Sequence, residues 1–245
     1  MRLIILVAVI GVLVARPAFP ADPSSSFPNL TRLDLKNEWI RVWYPKANAK
    51  PAPPPPAYLK EYDEAGVYAS EPLVLELGHG LPPLALACDS GPSNDPSCRL
   101  LKNFDDPESA IFESAGNDFV FTPSAEIYVS GATDYLYDHR RLFRYDGTRF
   151  KEVAQPFRYV GIEGRTKAPL KLTSSRAAEG GGTELVTLAA NTPLTILLDA
   201  AIGDDEDGQN PDYLVRTREG LVGWAHIPSK PDGTTIVDGL RFTGD

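Results

Sequence analysis

The stretch Tyr213-Leu-Val-Arg-Thr-Arg-Glu-Gly-Leu-Val-Gly-Trp-Ala-His-Ile227 decides the fold class. Apolar and polar residues alternate on both sides of Glu219-Gly220, the pattern of two half-buried strands joined by a tight turn. Gly220 allows the turn, Gly223 lets the backbone bend, and Trp224 supplies a large apolar body for a small core. Further apolar segments lie upstream at Pro169–Thr173, Glu184–Leu188 and Leu194–Asp199, with Gly180-Gly-Gly182 and an acidic loop as separators. These five short strands, with Ile236–Phe242 as a closing segment, describe a small β-barrel.

The same grammar extends towards the N-terminus. Candidate strands are Trp39–Tyr44, Leu73–Leu77, Leu84–Cys88, Asp118–Thr122, Glu126–Ser130, Arg141–Tyr145, Arg149–Val153 and Phe157–Ile162. Asp146-Gly147 between two of them predicts a hairpin with a tight primed turn, in which both central residues take positive φ. One short helical turn is expected at Ala57–Glu64. The Pro-rich loop at 51–56 favours extended polyproline structure; it reads as an exposed linker, or as a docking strip for an aromatic groove. Glu163-Gly164-Arg165 is a turn signal. The chain is therefore expected to be all-β, with a β-rich domain over 22–163 and a small barrel over 164–245.

Within that last region, Gly220-x-x-Gly223-Trp224 and the Asp212-Tyr213 step carry a resemblance. Residues 165–230 resemble the bacterial SH3-like domains of exported envelope proteins; the N-terminal region carries no such likeness. Tyr213 stands where that family commonly has a Trp, and the insert Ala200–Asp212 departs from its pattern. The resemblance implies a module that binds peptidoglycan or an envelope protein, or that accompanies another domain. Its contact candidates are Tyr213, Trp224 and His226, with Trp224 also a candidate for the centre of the core.

The N-terminus reads as an export signal. Arg2, the apolar run Leu3–Val14 and Arg16-Pro-Ala-Phe-Pro-Ala21 fit a signal peptide over residues 1–21. The run is too short for a transmembrane span. A periplasmic or secreted location follows, and removal of Arg2 and Arg16 with no acid takes the net charge from −9 to −11. Nucleic acid and anionic lipid are poor partners for such a chain. Residues 165–245 carry a net −4, which gives no steering towards an anionic polymer. Two cysteines, Cys88 and Cys98, flank a turn-rich segment and predict a disulfide in an oxidising compartment. A catalytic thiol near His79, or a zinc site, is the alternative for them.

No catalytic set, metal site or cofactor is predicted. The loop 203–212 is acidic, but it lacks two of the ligands of a helix–loop–helix calcium site. His139 follows Asp134 and Asp138, the start of acid–base machinery without a nucleophile motif. Asp105, Asp106 and Glu108 are carboxylates of the kind glycoside hydrolysis needs in pairs. Trp39 and Trp43 share one strand face, which suits a core strand or a carbohydrate platform. The expected function is an exported, non-catalytic binding or scaffold protein. A periplasmic hydrolase targeted by its barrel, and a secreted inhibitor or immunity-type protein, are the alternatives.

Overall fold

A computed structural model describes residues 26–33, 40–52, 73–90, 95–131, 135–200 and 212–242. Among these the chain is all-β, as expected: seventeen strands in three sheets, with isolated 3-10 turns as the sole helical pieces. The first sheet is ordered β1 (Leu30–Leu33), β2 (Arg41–Pro45), β8 (Asp118–Phe121), β9 (Glu126–Gly131), β10 (His139–Tyr145), β11 (Phe150–Glu152). The second is a meander of β3 (Ala49–Pro51), β4 (Leu73–Leu75), β5 (Leu84–Asp89), β6 (Ser97–Leu101) and β7 (Ala110–Ala115). The third is ordered β12 (Arg158–Arg165), β15 (Pro193–Asp199), β16 (Asp212–Thr217), β17 (Val222–His226), β13 (Leu170–Thr173), β14 (Glu184–Leu188).

The first two sheets share one core. Alternate residues of β5 (Leu84, Leu86, Cys88) meet Phe119, Phe121, Ile127 and Val129 from the first sheet. Phe112 of β7 sits at the centre, edge-on to Phe143 at 5.3 Å and to Phe121 at 6.1 Å between ring centroids. Edge-to-face packing of this kind adds about 0.5–1.5 kcal/mol per pair beyond buried area. Cys88 and Cys98 lie directly opposite on β5 and β6 and form the expected disulfide, with Cα atoms 4.1 Å apart. Beside it the half-buried Arg99 pairs with the buried Asp89 at 3.0 Å. The one parallel junction among the described residues, β2 with β8, carries a two-pronged ion pair: Arg41 donates to the two oxygens of Asp118 at 2.5 and 2.6 Å.

The hairpin around Asp146-Gly147 forms, but not with a primed two-residue turn. Tyr145 pairs with Phe150, so four residues make the connection, and only Gly147 takes positive φ (101°). The Asp146 carboxylate instead accepts from the backbone N–H groups of Thr148 and Arg149 at 2.8 and 3.0 Å, a side-chain turn that does not need Asp146 in the left-handed region.

The third sheet has its own core, including Leu172, Ile196, Tyr213, Val215 and Ile227. Its last strand, β17, returns to β13 through Thr173 opposite Trp224. The expected closing segment Ile236–Phe242 is not a strand. It makes isolated bridges, Thr166–Val237 and Thr234–Arg241, while Val237 and Leu240 fill the end of the core. The sheet also starts earlier than residue 164. Strand β12 pairs with β15 from Arg158 onward, and Leu136 and Tyr137 pack into this core rather than the other. The export signal, Trp39, residues 53–56, the helical turn at 57–64 and the acidic loop up to 211 lie outside the described residues.

Candidate functional site

Strand periodicity sends alternate side chains of the third sheet to opposite faces, and small residues mark the inner one. On β17, Gly223 and Ala225 are buried while Trp224 is half-buried and His226 is exposed. On β16, Tyr213 and Val215 are buried while Leu214 is half-buried and Arg216 is exposed. Register then builds a continuous row across the outer face. Tyr159 lies opposite Leu198, Leu198 opposite Leu214, Leu214 opposite Trp224, and Trp224 opposite Thr173. The Phe157 ring tilts over Trp224 at 6.2 Å.

Gly161 shapes one end of this row. Its φ of +70° accompanies a register shift between Tyr159 and Ile162, a bulge in β12. A Cβ at Gly161 would lie 2.5 Å from the Tyr159 ring, so glycine is what lets that ring fold back over the strand. Gly223 has a different role from the expected bend: a Cβ there would meet Leu185 at 3.0 Å and Leu172 at 3.1 Å, so it permits close approach of β13 and β17. Gly220 makes the expected turn at φ +91°.

Charged groups frame the aromatic row. The Arg140 guanidinium stands over Tyr159 at 4.7 Å and that of Arg176 over Trp224 at 5.7 Å, both within cation–π range. Arg176 also bonds Glu179, and this pairing holds the glutamate below its ordinary pKa and raises the arginine. His226 donates from Nδ1 to the buried Asp212 at 2.8 Å, which fixes the exposed ring next to Trp224.

The three residues predicted to contact a ligand therefore divide. Trp224 and His226 share the outer face. Tyr213 does not: it is 1% exposed and packs edge-on to Tyr137 at 6.5 Å, so it is the core aromatic. Trp224, expected at the centre of the core, lies on the outside because Gly223 and Ala225 take the two inward positions around it. Phe157, Tyr159, Arg140 and Arg176 complete the face and were not singled out from sequence. The Phe157-Arg-Tyr159 alternation is the signal that points to two of them.

Other candidates disperse. His79 is exposed in a turn where Gly78, His79 and Gly80 all have positive φ (76°, 55° and 74°). Asp106 caps the 3-10 turn Pro107–Ser109 by accepting from Glu108 N–H at 3.0 Å. Trp43 is buried. His139 is sealed at 2% exposure, with neither ring nitrogen hydrogen-bonded. Among the described residues no group of three or more His, Cys, Asp or Glu side chains is placed to hold a metal, and no helix is long and apolar enough to cross a membrane. The chain matches no family model, no curated protein and no solved structure.

Proposed function

We propose that this is an exported, non-catalytic binding or scaffold protein of the cell envelope. Its C-terminal region is read as an SH3-like barrel that takes peptidoglycan or an envelope protein on the outer face bearing Trp224 and His226. The supporting observation is where apolar surface is left uncovered. Of the six exposed large hydrophobic side chains among the described residues, five (Phe157, Tyr159, Leu185, Leu221 and Val222) belong to the third sheet and its turns. Aromatic rings flanked by arginines are the composition of interface hot spots. The five antiparallel strands β13–β17, with the last returning to the first, support the barrel reading. The hydrolase alternative loses its histidine, because a substrate cannot reach a sealed His139.

Co-sedimentation of the mature protein with purified peptidoglycan at pH 7 tests the reading. Retention of the wild type, and its loss in Trp224→Ala with the circular dichroism unchanged, are the expected results. Full retention of Trp224→Ala would overturn the assignment of the face, and no retention of the wild type would remove peptidoglycan as the partner.

A further inference from the structure

The outer face is tied to a buried histidine that the proposed binding role does not use. The segment from Tyr135 to His139 enters the junction between the two cores. Leu136 and Tyr137, each 5% exposed, insert into the third-sheet core. The Tyr137 hydroxyl donates to Asp199 of β15 at 2.5 Å. Two residues on, His139 is packed against the Tyr135 ring at 4.1 Å and the Tyr137 ring at 6.2 Å. Arg140 follows, over Tyr159, and its carbonyl accepts from Gln155 Nε2 at 3.0 Å. One short segment thus grips the third sheet from inside, at Asp199 and Tyr213, and from outside, at Tyr159.

The surroundings of His139 leave no place for a proton. Tyr135 and Tyr137 cover it from its own segment, and Gly131 lies opposite on β9. Arg141 of β10 and Arg158 of β12 are the charged groups that act on it, and both are cationic. Asp199, opposite Arg158 on β15, is engaged by Tyr137 through one oxygen, while the other is buried without a partner. The neighbours Asp138 and Arg140 pair with one another at 3.5 Å. An imidazolium here would be a third positive charge beside two guanidiniums, with both N–H groups unanswered.

We propose that the segment Leu136–His139 is an acid-released latch: protonation of His139 withdraws it from the third-sheet core and loosens the Phe157–Tyr159 side of the outer face, so partner binding weakens as pH falls. This rests on the binding role assigned to that face. Burial first, and then the two guanidiniums, push the His139 pKa down to about 3, against about 6.5 for a released imidazole. The sign follows from linkage. The inserted state excludes the proton, so its advantage is complete above about pH 6.5 and falls about tenfold per pH unit below that, until the inserted histidine itself titrates. Between pH 7 and pH 5 the ratio of inserted to released states drops about 25-fold. Burial raises the pKa values of Asp199 and Asp138, which opposes release, so the histidine must be isolated by substitution.

Amide hydrogen exchange on the full chain at pH 7 and pH 5, corrected for intrinsic rates, tests the latch. Wild type is expected to lose protection about 25-fold over 135–142, 157–165 and 196–199 while 119–129 is unchanged; His139→Phe, which keeps a ring, is expected to show no such loss. Equal protection of the wild type at both pH values, or the same loss in His139→Phe, overturns the proposal. Should that variant fail to fold, ring-carbon NMR titration of wild-type His139 decides: an imidazole protonating near pH 6.5 without loss of protection overturns the latch, and one resisting protonation until the segment opens supports it. Peptidoglycan retention separates the two readings. Retention at pH 7 that falls at pH 5 only with His139 present supports the coupling, and equal retention at both overturns it. No retention at pH 7 overturns the wall-binding reading, while the exchange data still decide the latch.

Discussion

Truncating Tyr213 and Trp224 to alanine separates the two faces of the third sheet. Tyr213 is 1% exposed, and its removal leaves a hole bounded by Tyr137 and the aliphatic core. For a large buried aromatic, lost transfer energy and cavity together cost about 3–5 kcal/mol. Trp224 is the larger ring, but it is only half-buried, so the space it vacates opens to water on one side. What it loses is the tilted contact with Phe157 and the guanidinium of Arg176. Those are worth about 0.5–1.5 and about 0.5–1 kcal/mol, so losing the two contacts should cost about 1–2.5 kcal/mol. Urea unfolding followed by far-ultraviolet circular dichroism compares them directly: the Tyr213→Ala midpoint should fall further. A Trp224→Ala protein as destabilised as Tyr213→Ala would refute the assignment of faces, and with it the outer aromatic row.

Two further substitutions probe the framework. Replacing both cysteines (Cys88→Ser with Cys98→Ser) removes a cross-link of sequence separation 10, which should cost about 3 kcal/mol by loop entropy and lower the urea midpoint accordingly. Gly161→Ala places a side chain at φ +70° and 2.5 Å from the Tyr159 ring, so it should cost about 1–3 kcal/mol and shift the Tyr159 ring resonances in NMR spectra.

Most strands were legible because their alternation is local. Glu184–Leu188 coincides with its sequence expectation, and Leu84–Cys88 differs from the observed strand by one residue. The missed strands lack that signal. In Ala49-Lys-Pro51 a proline sits on a sheet edge, where its missing N–H is tolerated, and Leu30–Leu33 is also an edge strand. Ser97–Leu101 and Ala110–Ala115 carry mixed polar residues and draw their burial from neighbouring strands and the core. At Trp224 the sequence held the answer in another form. Side-chain size argues for the core, but period two with Gly223 and Ala225 on either side argues for the surface, and the period decides. The row from Tyr159 to Thr173 depends on register among five strands, and its Trp224–Thr173 step joins residues with a sequence separation of 51, which no local pattern encodes. His139 illustrates the reverse difficulty: acids nearby in sequence suggest acid–base chemistry, whereas the folded chain surrounds the ring with tyrosines and arginines.

The insertion of Leu136 and Tyr137 limits how the chain can be divided. A fragment begun at residue 164 would keep only the last two residues of β12, leave one edge of β15 bare, and expose Tyr213 and the Asp199 carboxylate to water. Such a piece would be short of both packing and hydrogen bonding at the same corner. Any portable version of the third sheet, for transplantation into another protein or for separate production, has to begin no later than Tyr135.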